Sequence, residues 1–332
     1  MENLLVVGGN IETGKRSEVI YKIFCLYVKL CHFVLGRLHN GTLPENLNTK
    51  EDLVLWFPDI SNEHTKTYPK KKKGSVLICS KVMRDNTTRI DAVSRIFAMQ
   101  GNAIVLIYKN QKPFKFELVD ALNNTWCLTD DIEVLVNTIN ELYTWTKKSV
   151  RISLKQKDLA SINLPKVDCS SFIEINKKLA LKVAEGCGNR FFGNYSTRCT
   201  KLFPSERNEN MFLFSPRNVD KRFVTEDDLI AVTDQNYFGD RKPSVDTPVQ
   251  LKIYTSYPNI NFMIHGHALI DGAPTTKHYF PCGDLREVDE VLNLVEEKHT
   301  KRINLKNHGF LLLGETEEDM RIHLEECNFK SL

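Results

Sequence analysis

Neither charge sign dominates this chain: 45 basic residues stand against 42 acidic ones, a formal net charge of +3 over 332 residues. That balance gives no electrostatic ground for expecting a nucleic-acid partner. The nine cysteines are odd in number and scattered, which is not the arrangement of a disulfide framework, so a reducing compartment is expected. No apolar run reaches membrane-spanning length, and the most apolar stretch, Ile20 to Leu35, is broken by Lys22, Lys29 and His32. The amino terminus has no basic region ahead of Leu4-Leu5-Val6-Val7 and no small-residue cleavage site, so it reads as a first strand, not a signal peptide. A cytoplasmic location away from membranes is the expectation. Internal repeats and low-complexity segments are also missing. What is present, 42% hydrophobic and 26% charged residues, is globular composition at a length that suits two domains.

Residues 1–150 alternate strand-like and helical patterns. Strands are expected at Leu4–Val7, Leu53–Phe57, Val76–Cys79 and Ala103–Tyr108, and helices at Ser17–Leu35, Thr88–Met99 and Asp131–Thr146. This alternation predicts a Rossmann-like, largely parallel sheet covered on both faces. The polar, weakly periodic stretch Ser149 to Pro165 marks a boundary, leaving residues 151–332 as a second domain. That domain opens with a helix, Ser170–Ala184; glycine and asparagine then crowd Gly186–Asn194, and short strands follow. The run Lys70 to Lys73, beside Pro69 and Gly74, reads as a solvated loop, with a nuclear signal or a phosphate-contacting patch as the sharper alternative.

The first strand leads into Gly8-Gly9-Asn10-Ile11-Glu12-Thr13-Gly14-Lys15-Arg16-Ser17. Free amides at a helix start, beside Lys15 and Arg16, suit an anionic ligand. The spacing from Gly9 through Gly14 to Lys15 is that of a nucleotide phosphate loop, but Arg16 stands where such a loop needs a metal-binding hydroxyl. Gly9, Gly14, Lys15 and Ser17 are therefore a candidate phosphate or nucleotide site, with Asp59 as the nearest metal-side carboxylate. A plain glycine turn from strand to helix is the competing reading.

Six of the nine histidines fall between His265 and His323. In the strand-like segment Asn261–Ala268, His265 and His267 lie two apart and so share one face, with Gly266 leaving the other face open. The apolar Ile303–Leu305 leads into Asn307-His308-Gly309, and Lys242-Pro243-Ser244-Val245-Asp246-Thr247-Pro248 lies upstream before an amphipathic helix, Val249–Ser256. Three neutral imidazoles with an open or carboxylate-filled position form a typical catalytic zinc arrangement. Plain roles compete: His308 as a turn cap, Asp246 as a helix cap.

Those segments, in order with Gly193-Asn194-x-Ser196-x-Arg198, Ser215-Pro216-Arg217-Asn218-Val219-Asp220 and Thr225-Glu226-Asp227-Asp228, resemble the class II aldolase/adducin family of metal-dependent sugar-phosphate enzymes from about Ser170 onward. The wording Ser-Val-Asp-Thr-Pro, with Thr275-Thr276 before Tyr279-Phe280, is most similar to the ribulose-phosphate 4-epimerase branch. The resemblance implies an α/β/α domain with a central, mostly antiparallel sheet, and a homo-oligomer, expected to be a tetramer. It implies Zn²⁺, or another divalent transition metal, on His265, His267 and His308, with Asp246 as a further ligand or general base. It places Asn194, Ser215, Arg217, Asn218 and Ser244 at the substrate phosphate, and His278 where the epimerase branch carries an acid.

Arg217 and Asn218 replace the family's serine and glycine, Val245 replaces a second serine, and the chain ends at Leu332, before the tyrosine that epimerases use. The expectation is accordingly an aldolase-type lyase acting on a phosphorylated or anionic sugar ketone through a zinc-stabilised enediolate. Epimerase or dehydratase chemistry, a non-catalytic adducin-like binding module, and a nucleotide-binding protein working through the first domain are the alternatives.

Overall fold

The computed structural model describes residues 3–8, 35–40, 52–57, 75–99, 101–108, 115–152, 154–158, 169–183, 186–187, 190–191, 193–199 and 211–331. Gly9, Gly14, Lys15, Ser17, Asp59, the run Lys70–Lys73 and nearly all of the expected helix Ser17–Leu35 lie outside the described residues. The chain divides into two compact units, Met1–Val150 and Arg151–Leu332. No helix among the described residues is long and apolar enough to cross a membrane.

In the first unit, β1 (Asn3–Gly8), β2 (Leu35–Asn40), β3 (Leu53–Phe57), β4 (Val76–Val82), β5 (Ala103–Tyr108), β6 (Lys115–Asp120) and β7 (Thr125–Thr129) form one sheet. Their order is β2-β1-β3-β4-β5-β6-β7, parallel as far as β5 and antiparallel from there. Val76–Cys79 and Ala103–Ile107 are buried without interruption, as strands covered on both faces must be. Among the described residues of this unit, α1 (Arg89–Ala98) lies between β4 and β5 in sequence and α2 (Ile132–Ile152) follows β7. Leu135, Ile139 and Tyr143 recur every four residues on α2 and pack on Leu55, Ile78 and Leu118 of the sheet.

Three features depart from the sequence reading. Leu35 begins a strand instead of ending a helix; β2 is an edge strand, and Leu-Gly-Arg-Leu-His-Asn carries no apolar signature that would announce it. The β6–β7 hairpin adds antiparallel strands that the strand–helix alternation does not call for. The boundary stretch is still helical as far as Ile152, because α2 outlasts its apolar stripe.

The second unit is built on β8 (Lys155–Lys157), β11 (Asn194–Arg198), β12 (Phe212–Phe214), β13 (Ile230–Val232), β14 (Asn236–Phe238), β15 (Phe262–Gly266), β17 (Arg302–Leu305) and β18 (Gly309–Gly314), with the small pairs β9–β10 (Gly186–Cys187, Arg190–Phe191) and β16–β19 (Ala268–Ile270, Phe329–Ser331) beside them. The main sheet runs β17-β18-β15-β11-β12-β13-β14-β8, antiparallel throughout except where β14 meets β8.

Adjacent strand residues feed opposite cores. Met263, Leu311 and Leu313 face α4 (Thr247–Ser256) and α5 (Arg286–Lys298), where Ile253 and Val291 complete one cluster. Ile264, Phe310 and Leu312 face α3 (Ser170–Val183) and α6 (Glu317–Glu326), where Phe172 and Met320 complete the other. The result is an α/β/α sandwich with a mostly antiparallel centre. His323 is buried at 6% exposure: its Nδ1 accepts from Arg302 Nε at 2.8 Å and its Nε2–H donates to the Leu313 carbonyl at 2.9 Å. His299 is exposed and takes the left-handed C-cap of α5, with φ of 49°.

Candidate metal centre

The strand carrying the histidine doublet ends at Gly266, so His267 stands at a bend between β15 and β16 and not on a continuous strand. Gly266 does not open the far face either. A Cβ there would lie 2.5 Å from the Phe310 ring, which fills that space. The third histidine arrives from the β17–β18 hairpin, where Asn307 adopts a left-handed φ of 54° and the His308 amide donates to the Leu305 carbonyl at 3.0 Å. Gly309 then closes the approach: its φ is 143°, and a Cβ would sit 2.0 Å from the Gly266 carbonyl oxygen. That backbone contact brings His308 beside His267.

Ring centroids of His265, His267 and His308 are 5.0, 4.9 and 5.5 Å apart, and one nitrogen from each lies within 4.8 Å of the others. The orientation of two rings is set from behind. His265 Nδ1–H donates to the Phe310 carbonyl at 2.9 Å, and His308 Nδ1 faces Glu287 Oε1 at 3.0 Å. Both Nε2 atoms are thereby turned toward the cluster, as outer hydrogen bonds do in metal sites.

Asp246 closes the group, its Oδ2 lying 3.8 Å from His265 Nε2 and its Oδ1 3.9 Å from His308 Nε2. Ser244 Oγ donates to Asp246 Oδ2 at 3.2 Å. Asp246 occupies the N-cap position of α4 but makes no capping hydrogen bond with its side chain, so its carboxylate is left for the cluster.

Burial pushes His265 down to about 4, with the neighbouring His308 adding to the fall, and holds His267 well below the ordinary histidine range. Burial also disfavours a charged His308, but Cys282 and Glu287 outweigh it and hold that ring well above its usual value. Two imidazoles therefore present lone pairs at neutral pH. His265 Nε2 and Asp246 Oδ1 are buried and have no hydrogen-bond partner, a costly state for an empty polar cluster and the expected one for atoms that face a cation. The donor set fits Zn²⁺ or a similar divalent transition ion.

A cavity beside the cluster is lined by Asn194, Lys221, His265, His267 and Phe310. Asn194 pairs with His265 across β11 and β15 and is buried with both side-chain polar atoms unpartnered. The other expected phosphate contacts do not gather there. Ser215 is fully buried, its Oγ accepting from the Tyr195 amide at 3.1 Å. Arg217 and Asn218 are exposed; the Arg217 amide donates to the Lys242 carbonyl at 2.8 Å, and Asn218 Oδ1 accepts from the Phe191 amide at 3.2 Å. Ser244 instead supports Asp246. His278 is exposed and its Nδ1 pairs with Glu290 Oε1 at 2.5 Å.

Three residues were missed from sequence. Lys221 is 8% exposed, donates to the Pro216 and Val219 carbonyls, and is pushed down to about 8 by burial. Glu287 had a readable signal, an acid in the apolar stripe of α5 beside Val288 and Val291. Cys282, whose Sγ lies 3.3 Å from His308 Nε2, had none.

An α/β/α sandwich whose antiparallel strand ends gather three imidazoles and a carboxylate defines a class, the α/β domains with a metal-type donor set at the ends of the sheet strands. Residues 171–330 match the family described as Class II Aldolase and Adducin N-terminal domain, and the second unit carries a domain of that family. An L-fuculose phosphate aldolase of Methanococcus maripaludis is 28% identical over 131 residues, covering 33% of this chain and 70% of that protein. Among solved structures, an L-fuculose 1-phosphate aldolase is 18% identical and covers 49% of this chain and 84% of its own, with a TM-score of 0.37. A sugar-phosphate aldolase from Thermotoga maritima is also 18% identical, covering 47% and 91%, with a TM-score of 0.34.

Proposed function

We propose that the second unit is a metal-dependent carbon–carbon lyase acting on a phosphorylated or otherwise anionic sugar ketone. The observation that carries this reading is the convergence of His265, His267, His308 and Asp246, with unpartnered buried donor atoms, beside a cavity holding a buried ammonium. Relatives named as aldolases of sugar phosphates support the substrate class. Zn²⁺ or another divalent transition ion would be held by the three histidines, and when bound it supplies positive charge against the oxygens of the reacting ketone.

The chain's own residues do the rest. Glu287 and the Phe310 carbonyl hold His308 and His265 in register. Asp246, fixed at Oδ2 by Ser244, has Oδ1 available to accept a substrate hydroxyl proton. Asn194 offers its unpartnered Nδ2–H donors to the anionic end of the substrate. His278, paired with Glu290, is a second proton carrier for the epimerase variant of the chemistry. A homo-oligomer, most simply a tetramer, and a cytoplasmic location belong to the same reading.

A metal-supplemented assay of the purified chain against a panel of ketose phosphates tests it, with His265→Ala as the control. Turnover unaffected by that substitution rejects the site. Purified protein without stoichiometric transition metal would favour the adducin-like binding module instead.

The first unit supports a second reading. In the order β2-β1-β3-β4, β1 and β3 lie side by side where the winding reverses, and their carboxyl ends lead toward Gly9–Ser17 and Asp59. Ligands of parallel sheets bind at such a reversal, so a nucleotide or other phosphate is proposed there. Thermal stabilisation by nucleotide should vanish in Lys15→Ala; stabilisation that survives it removes the loop from the binding site.

A further inference from the structure

The histidine cluster shares His308 with a second set of donors. Cys282 lies in the loop before α5, and Gly283 beside it packs that loop against the neighbour of Asp246: its φ is 84°, and a Cβ would lie 2.9 Å from the Val245 carbonyl oxygen. Ligand atoms of Asp246, Cys282 and His308 all lie within 4.8 Å of one another, so His308 belongs to both triads. From His308 Nε2 the distances are 3.3 Å to Cys282 Sγ and 3.9 Å to Asp246 Oδ1. Two ligands of one tetrahedral zinc, at typical metal–sulfur and metal–nitrogen lengths, are separated by about 3.5 Å. The cysteine thus stands at ligand spacing from an imidazole whose other nitrogen is already taken by Glu287.

Independent of the sulfur, Asp246 Oδ1 points into the same space, buried and without a hydrogen-bond partner. We infer that Cys282 is a sulfur ligand of the divalent metal in the substrate-free protein, alongside His308 and Asp246. The inference rests on the metal-dependent reading of the site and adds a donor to it. Binding replaces the one proton lying between Sγ and Nε2 with the metal and releases that proton to solvent, so no oxidant or reductant enters. A thiolate donor selects soft and borderline ions, Zn²⁺ and Co²⁺, over Mg²⁺ and Mn²⁺.

Co²⁺ loading of the full chain tests this by absorption spectroscopy and metal analysis. The expected result is stoichiometric Co²⁺, visible bands of a low-symmetry site, and a near-ultraviolet sulfur-to-cobalt band. That band should be lost in Cys282→Ser, whose circular dichroism matches wild type. Competition with a chromophoric chelator should show Zn²⁺ affinity reduced roughly tenfold to a hundredfold in Cys282→Ser, the loss typical of removing even an outer metal contact. Stoichiometric Co²⁺ with no sulfur band, or Zn²⁺ affinity within twofold of wild type in Cys282→Ser, overturns the sulfur ligand while leaving the histidine site standing. Failure to bind Co²⁺ or Zn²⁺ at all overturns both.

Discussion

His265 and His267 stay neutral well below pH 7 because burial disfavours their charged forms. Their lone pairs are ready for a cation without any proton having to leave. His265→Ala should therefore abolish stoichiometric transition metal, measured by elemental analysis after gel filtration. Lys221 makes a separate prediction. Its pKa falls from the usual lysine value to about 8, so between pH 8 and 10.5 the unfolded chain binds more protons than the folded one. Stability contributed by this residue must rise with pH across that window, by at most about 1.4 kcal/mol per unit. Denaturant unfolding of wild type and Lys221→Met should show a difference that shifts in favour of wild type as pH rises through the window; a difference independent of pH would count against a buried, charged lysine.

Among elements, the β17–β18 hairpin has most influence on the site. Gly309→Ala forces a Cβ onto the Gly266 carbonyl at a φ that favours glycine. It should cost at least about 1–3 kcal/mol of stability from backbone strain alone and reduce metal content along with it. The start of α6 gives the contrasting case. Thr316 accepts from the Asp319 amide at 3.1 Å while Asp319 accepts from the Thr316 amide. Thr316→Ala should lower stability by about 1 kcal/mol and leave metal stoichiometry unchanged, a pair of readings separable by calorimetry and elemental analysis.

Elements with a clear period were legible in the sequence. The buried strands β4 and β5 are apolar runs, and α2 and α3 repeat their apolar residues at helical spacing. The edge strand β2 was not, because Leu-Gly-Arg-Leu-His-Asn contains no apolar run, and the hairpin β6–β7 was not, because Lys115, Glu117 and Asp120 flank and interrupt the apolar residues of a strand whose Phe116, Leu118 and Val119 are buried. In the site, His265 and His267 stood out by their two-residue spacing, and His308 joined them through the family resemblance of the ordered motifs. For Arg217 and Asn218, motif order says which loop they occupy and not where that loop turns its side chains, and both are exposed.

At the scale of the molecule, metal binding is expected to couple to folding of the second unit, since its donors come from β15, the β17–β18 hairpin and the residues preceding α4. A metal present at a hundred times its dissociation constant adds about 2.7 kcal/mol. Chelation should lower the unfolding temperature of wild type and leave that of His265→Ala unmoved. An equal response of both proteins would mean that the stabilising ion binds elsewhere.

By itself the sequence determined the alternation of strands and helices, the metal-type donors in the second half and their order along the chain, since period and residue type are local properties. Only the tertiary structure decided that His308 reaches His265 and His267, that Asp246 at the N-cap of α4 turns its carboxylate to the cluster instead of capping, and that Cys282, Glu287 and Lys221 lie at the site. Those facts depend on a glycine-to-glycine backbone contact between strands, on burial that strips water from the groups, and on residues far apart in sequence meeting at the strand ends.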